Sequence, residues 1–261
     1  MLQYFLILLK EGEKMFFAKI GEFEPCGLFS MGHLILFFLT VVIIAVALIA
    51  TRHEDKTEVK KIIQVLIVSI WVLEFFRIGY KLFCGDVMFL ESYMPLFFCS
   101  IFLYSGLLSA FGKGKVQRAG DVVLSTGGLI GGVVFLIYPS TSLPDYPAFH
   151  FVSVHSFLYH GCMVYVGVLM LVSKYIQLKR SDIWLYAVSV FGLCVAALGV
   201  NSAFDCNLMF ISKAFPGHIG QAVFNGAGVL YTPIMVLIHT FLPFYVVYGI
   251  YKLKNKTSVL N

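Results

Sequence analysis

The feature that most constrains this chain is a series of long apolar runs that contain few charged residues. The runs cover residues 31–50, 62–84, 94–111, 120–138, 153–173, 183–200 and 228–251. About 20 helical residues span the roughly 30 Å hydrocarbon core of a bilayer, and all seven runs are close to that length. With 59% hydrophobic and 13% charged residues, the composition is also far from that of a soluble domain. The sequence therefore predicts an all-α membrane protein, a bundle of seven transmembrane helices.

The positions of Lys and Arg predict how this bundle is oriented. Thirteen of the 19 Lys and Arg residues fall in alternate connections and in the C-terminal end, at residues 52–61, 113–118, 174–180 and 252–256. The long loop from Tyr138 to Val152 contains neither residue type. Because cytoplasmic loops are enriched in Lys and Arg, we expect the N-terminus outside and the C-terminus in the cytoplasm.

This pattern also predicts the domain organisation and location. Residues 1–30 are expected to form an interfacial amphipathic segment, residues 31–251 one membrane domain, and residues 252–261 a basic cytoplasmic tail. Glycines in the fourth run, Gly127, Gly128, Gly131 and Gly132, would permit close helix packing. The expected location is the cell membrane, most simply a bacterial plasma membrane.

Several function classes have no support in the sequence. The net charge of +5 comes from basic residues placed between apolar runs, which is typical of contact with anionic lipids and not of nucleic-acid binding. No nucleotide loop or common hydrolase motif is present, the last run lacks a lysine for retinal, and no cofactor is predicted. The six cysteines form no CxxC motif. Three of them, Cys26, Cys84 and Cys206, map to the outer side, where two could form a disulfide.

Ionisable residues inside the second run are the first indication of a functional site. Glu74, Arg77 and Lys81 have i, i+3, i+7 spacing, which places them on one side of a helix. Charges are costly in lipid, so this face is expected to point into the bundle, with Glu74 and Arg77 paired. A buried ion pair that only fixes helix packing is the alternative interpretation.

The predicted topology brings further reactive side chains to the same depth near the outer face. They are Cys99, Asp145, His155, His160, Asn201, Asp205 and Asn207. A thiol and an imidazole form a nucleophile and base pair, in which the thiolate attacks a carbonyl and becomes a thioester. A free cysteine that packs as a small hydrophobic residue is the alternative.

A metal site is the rival interpretation for the histidines. His150, His155 and His160 lie close in sequence to Asp145. Their five-residue intervals correspond to about 140° around a helix, whereas two ligands on one helix usually come at i, i+3 or i, i+4. No metal is therefore predicted. His239 stands among apolar residues and is expected to be a hydrogen-bonded core histidine.

Four segments together resemble a known family. They are LEFFRIGY in the second run, MPLFFCSI at the third, YPAFHFVSVHSFLYHG at the fifth, and NSAFDCNLMF after the sixth. Their order and spacing from about Ile62 to Phe215 resemble the YwaF-type family of integral membrane proteins. That family is similar to transmembrane protein 164, an animal acyltransferase that moves fatty acyl chains between phospholipids with a cysteine and a histidine.

The resemblance implies specific roles for residues of this chain. The cysteine of the family falls on Cys99 and its histidine on His160. Polar positions of the pattern fall on Glu74, Arg77, Asn201 and Asn207. Phe97 stands where a polar residue such as histidine is expected, and this departure bears on the identity of the acyl donor or acceptor.

The resulting hypothesis is a membrane-embedded lipid acyltransferase or acyl hydrolase, with phospholipid or lysophospholipid substrates. His160 would activate Cys99, with His155 as the reserve base. A lipid phosphate would contact Arg77, Lys81 and Asn207, and Asn201 or a backbone N–H would stabilise the oxyanion. The alternatives are a transporter or channel that uses Glu74, Arg77 and His155 as a polar path, and a noncatalytic lipid-binding membrane protein.

Overall fold

The computed structural model describes residues 14–84, 90–214 and 219–260, and this part of the chain is helical without β-strands. Six of its helices are long and apolar enough to cross a membrane. In chain order the helices are α1 (Met31–Thr51), α2 (Lys56–Phe83), α3 (Phe98–Phe111), α4 (Gly114–Ile137), α5 (Phe151–Val172), α6 (Ile183–Phe204), α7 (Ile219–Ala227) and α8 (Tyr231–Leu260). Those of spanning length are all except α3 and α7. The chain is therefore an all-α, multi-pass membrane protein.

Helix α3 differs most from the sequence-based expectation. The apolar run begins at Met94, but the helix begins at Phe98, with a 3-10 turn over Phe98–Ser100. Its residues rise over about 21 Å, which is less than a hydrocarbon core. The non-helical stretch before it lies at the edge of the cavity described below, where irregular backbone is tolerated in a membrane protein. A seventh crossing and the sidedness of the bundle stay predictions.

The C-terminal region differs in a second way. Residues 252–260 continue helix α8, and their role as a basic cytoplasmic tail stays a prediction. Residues 219–227, which the apolar runs do not cover, form the short helix α7. Helices α1, α5 and α6 begin and end within about four residues of the predicted runs, whereas α2 and α4 begin about six residues earlier than predicted.

Helix α4 packs closely against α5 through a glycine, as the glycine-rich run predicted. α4 is helical throughout, with a π-helical turn over Leu124–Gly128. A Cβ added at Gly132 would lie 2.8 Å from the backbone oxygen of His160. Such a contact is too short for a methyl group, so glycine allows the two backbones to approach at the level of His160.

Helix α5 lies at the centre of the bundle. It packs against α1, α2 and α4 and buries most of its length, whereas α1 buries only His33 and Ile44 along its whole length. The exposed apolar side chains of α1 form a surface suited to lipid. His33 attaches α1 to α4, because its Nε2 lies 3.0 Å from the backbone oxygen of Leu136.

Side-chain caps fix the start of the helices that carry the site. The Asp55 carboxylate accepts hydrogen bonds from the N–H groups of Thr57 and Glu58 at the start of α2. His150 caps α5, since its Nδ1 accepts a hydrogen bond from the N–H of Val152. These caps satisfy backbone donors that have no partner within the helix.

The described part of the N-terminal segment, residues 14–30, packs on the bundle end where α5 begins. The carbonyl of Ala18 accepts hydrogen bonds from the Tyr80 hydroxyl at 2.7 Å and from Nε2–H of His150 at 3.0 Å. The Cys26 N–H donates to the carbonyl of Tyr146. Residues 1–13 of the predicted amphipathic segment lie outside the described residues. Ile20 of this segment lines the cavity described below.

Candidate functional site

A cavity of about 620 Å³ lies where α2 ends and where α3 and α5 begin. We call it the thiol cavity, because Cys99 is in its wall. Seven ionisable residues singled out in the sequence line it, namely Glu74, Arg77, Lys81, Cys99, Asp145, His155 and His160. The structure thus brings together these seven residues of the expected cluster, whereas Asn201, Asp205 and Asn207 are not in the lining.

The acidic and basic residues of α2 are held as an ion pair. The Arg77 guanidinium donates to both carboxylate oxygens of Glu74, at 2.9 Å and 2.6 Å, and to the carbonyl of Ser92 at 3.1 Å. The two side chains are only 15% and 6% exposed. Bidentate contact compensates for much of the loss of hydration that burial imposes on both charges. The Lys81 ammonium lies 5.7 Å from the centre of the Tyr146 ring.

Cys99 lies in the 3-10 turn that starts α3 and is half-buried against the cavity. The backbone N–H groups of Cys99 and Ser100 lie close to its sulfur. Both Glu74 and Arg77 are near enough to act on it electrostatically. The first N–H groups of a helix have no carbonyl partner within that helix. The thiol therefore lies beside backbone donors as well as beside a charged pair.

The imidazole of His160 is fixed in one orientation and one tautomer. Its Nδ1 lies 2.7 Å from the carbonyl oxygen of Ser156, one turn earlier on α5. A carbonyl can only accept, so Nδ1 carries the proton and Nε2 of the neutral ring is an acceptor. The ring stacks on Phe135 with centroids 3.6 Å apart. No hydrogen bond joins His160 to Cys99 in this structure, and such contacts often tighten only when substrate binds.

The second histidine, His155, is buried without a hydrogen bond. It is 5% exposed, and neither ring nitrogen has a hydrogen-bond partner among the described residues. Its Nε2 is 3.6 Å from a Glu74 oxygen that Arg77 already contacts. His155 is therefore a polar group in the cavity wall whose donor and acceptor are both unused.

Tyr159 is a site residue that the sequence interpretation missed. Its hydroxyl donates to the carbonyl of Cys99 at 3.1 Å, and its ring stacks near His155 and meets His160 edge-on. It thus connects the thiol turn of α3 to the helix that carries both histidines. The sequence does contain a signal for Tyr159. It lies next to His160 and four residues after His155, and i, i+4 residues share a helix face.

Two predicted residues, Asn201 and Asn207, lie outside the lining of the thiol cavity. The Asn201 amide contacts the backbone of Leu208 and the hydroxyl of Ser212. The Asn207 amide contacts the backbone of Ser212 and Lys213. Both side chains hold the loop that follows α6, and we leave both out of the site proposed below.

Part of the cavity lining is apolar. Met94, Phe97 and Phe210 belong to it, and the rings of Phe97 and Phe210 lie 5.4 Å apart. Phe97, the departure from the family pattern, therefore adds apolar surface close to Cys99. A cavity lined by both charged and apolar side chains suits an amphiphile.

The histidine cluster does not form a metal site. His150 uses both ring nitrogens, one as the α5 cap and one toward Ala18. Among the residues that the structure describes, no group of three His, Cys, Asp or Glu side chains is placed to hold a metal ion. His239 is hydrogen-bonded to the Met235 carbonyl, as expected of a core histidine. All six cysteines, Cys26, Cys84 and Cys206 included, are free thiols.

The six long apolar helices define a multi-pass membrane protein. The family model for the TMEM164 family matches residues 28–251. The chain belongs to the TMEM164 family, and the matched region contains α1 to α7, most of α8 and all of the ionisable cavity residues. No curated protein and no solved structure matches the chain significantly.

Proposed function

We propose that this protein is a lipid acyltransferase or acyl hydrolase of the cell membrane, with Cys99 as nucleophile and His160 as general base. The observation that carries the proposal is the placement of a thiol and an oriented neutral imidazole in one amphiphilic cavity within a membrane bundle. Membership of the TMEM164 family and the resemblance to YwaF-type proteins support the reaction class.

The first step forms an acyl-enzyme. Nε2 of His160 removes the Cys99 proton, the thiolate attacks the ester carbonyl of a phospholipid, and a C–S bond forms. As the ester C–O bond breaks, His160 returns the proton to the departing lysolipid oxygen. Backbone N–H groups at the start of α3 stabilise the oxyanion in place of Asn201, whose amide is occupied.

The second step transfers the acyl group. His160 removes a proton from the hydroxyl of a lysophospholipid or from water, and the resulting oxygen attacks the thioester carbonyl. The C–S bond breaks and the thiolate regains a proton from the imidazolium. A lysophospholipid acceptor makes the protein a transferase, and water makes it a hydrolase. Neither step requires a cofactor.

Arg77 and Lys81 of the cavity lining hold the lipid headgroup in this proposal. Arg77 uses three of its five N–H groups for Glu74 and Ser92, which leaves two for a phosphate. Lys81 lies one turn further along the same face. The acyl chain lies toward Met94, Phe97 and Phe210. His155 is the reserve base, beside Glu74.

Intact-protein mass spectrometry after incubation with a mixed phospholipid extract tests the proposal. A hydroxylamine-sensitive acyl adduct that maps to Cys99 is expected. It should be absent in Cys99→Ala, should fail to form in His160→Gln, and should persist in Cys162→Ala, which removes a thiol of α5 that is outside the cavity lining. Full lipid turnover by both Cys99→Ser and His160→Gln would contradict it. Solute flux into proteoliposomes that is unaffected by Cys99→Ala would favour a transporter.

A further inference from the structure

A second cavity, of about 530 Å³, lies at the opposite end of α2. We call it the lysine cavity, because Lys56, Lys60 and Lys61 line it together with Gln117, Asp121 and Tyr175. Along α2, Lys60 and Arg77 are separated by about 25 Å of helix rise. The lysine cavity is therefore distinct from the thiol cavity, and the acyl-transfer proposal assigns it no role.

A directional hydrogen-bond chain runs along its wall. The Lys60 ammonium donates to Oε1 of Gln117 at 3.2 Å, and Nε2 of Gln117 donates to the Tyr175 oxygen at 3.1 Å. The chain ends on an oxygen, so the hydroxyl proton of Tyr175 has no acceptor within it. Burial and the nearby Asp121 carboxylate raise the pKa of Tyr175 to about 12, so the phenol keeps that proton at neutral pH. The Tyr175 hydroxyl is thus a hydrogen-bond donor with no acceptor in this series of contacts.

The charges of the wall do not balance. Lys61 pairs with Glu58 at 2.7 Å, and Lys56 has no hydrogen-bond or ion-pair partner among the described residues. The one carboxylate in the lining, Asp121, accepts a hydrogen bond from Ser109. With Lys61 neutralised by Glu58, Lys56 and Lys60 face one carboxylate, which leaves a surplus of one positive charge and several N–H donors.

Arg118, at the same end of the bundle, is a cation that a carboxylate of the protein itself neutralises. Its guanidinium contacts the Asp182 carboxylate at 2.6 Å and the Gln177 carbonyl at 2.7 Å. Lys56 and Lys60 have no such carboxylate partner among the described residues. The contrast favours an external anion as their partner.

We propose that the lysine cavity binds a phosphomonoester, carried either on a lipid headgroup or on a small soluble molecule. The group carries about two negative charges near pH 7 and presents three acceptor oxygens. Its negative charge is attracted by the positive charge of the wall. The three oxygens match donors that come from Lys56, Lys60 and Tyr175, on two separate parts of the chain. A carboxylate or phosphodiester presents fewer acceptor oxygens to these three donors.

Equilibrium binding to the purified full chain tests this inference, with two probes for the two sources. The soluble probe is glycerol 3-phosphate. The lipid probe is phosphatidic acid in phosphatidylcholine nanodiscs, compared with phosphatidylglycerol, an anionic phosphodiester, at equal mole fraction. Binding of glycerol 3-phosphate indicates a soluble ligand. Preference for phosphatidic acid over phosphatidylglycerol without soluble binding indicates a lipid headgroup. If neither probe binds, or if the two lipids bind equally, the inference is wrong.

Matched variants locate the binding. The double variant Lys56→Gln/Lys60→Gln should bind roughly tenfold or more weakly, because it removes two charge-assisted contacts. The control Lys113→Gln/Lys115→Gln removes the same charge from exposed lysines outside the lining and should bind as the unmodified protein does. Tyr175→Phe keeps the charge and should weaken binding by a few fold. Equal losses in the two double variants would show general electrostatic attraction and would overturn the assignment.

Discussion

The two cavities at the ends of α2 differ in the balance of their charged side chains. In the thiol cavity two buried charges of opposite sign, Glu74 and Arg77, neutralise each other within hydrogen-bond distance. In the lysine cavity the wall keeps more positive charge than negative. Paired charges are tolerated deep in a bundle, whereas unpaired cations remain stable only where water or anionic headgroups reach them. We interpret this difference as the one between the proposed reaction site and the proposed recognition site.

The chemistry of the thiol cavity gives the largest expected effect. Cys99→Ala should lower acyl-transfer or hydrolysis rates by about 1,000-fold or more, because the acyl group then has no covalent carrier. Lys56→Gln/Lys60→Gln, at the other end of α2, should leave the rate unchanged. Lipid turnover measured by mass spectrometry on both proteins checks the contrast. Equal rates for Cys99→Ala and the unmodified protein would remove the distinction between a reaction site and a recognition site.

The pairing of Glu74 and Arg77 gives the next effect, on stability. Glu74→Ala should lower the free energy of unfolding by about 3 kcal/mol, because Arg77 then stays buried without a carboxylate. Glu74→Leu/Arg77→Met should recover most of this loss, since no unpaired charge remains. Denaturation in mixed detergent micelles measures both. A double variant as unstable as Glu74→Ala would show that the pair matters through its shape and not through its charges.

The geometry of the cavity wall gives a smaller effect at Tyr159. Tyr159→Phe removes the hydrogen bond to the Cys99 carbonyl and keeps the ring contacts with both histidines. We expect a loss of about 1 kcal/mol in stability and a lower kcat at unchanged KM, because the thiol turn loses its register relative to His160. Steady-state kinetics separate this from a purely structural role, which would leave kcat per folded molecule unaffected.

The sequence predicted those parts of the site that depend on local periodicity. The i, i+3 spacing of Glu74 and Arg77 determines their pairing on one helix, and alternating spans bring Cys99 and His160 to one end of the bundle. The start of α3 at Phe98 was not predictable, because an apolar stretch such as Met94–Phe97 reads as part of a helix unless its tertiary position is known. The contacts of the Asn201 and Asn207 amides could not be predicted either. Both amides bind the loop that follows α6, and residue spacing does not show how that loop folds back.

Substitutions in the lysine cavity should have the smallest effect on stability, which contrasts directly with the effect of Glu74→Ala in the thiol cavity. Lys56→Gln/Lys60→Gln should change the free energy of unfolding by no more than about 0.5 kcal/mol in buffer without phosphate, because Lys56 is exposed and the single hydrogen bond of half-buried Lys60, to Gln117, contributes little net stability. Addition of glycerol 3-phosphate or phosphatidic acid should stabilise the unmodified protein more than the double variant, because a ligand stabilises the native state in proportion to how tightly it binds. If the double variant is destabilised without ligand as much as Glu74→Ala is, the lysines hold the fold together, and the two ends of α2 do not differ in kind.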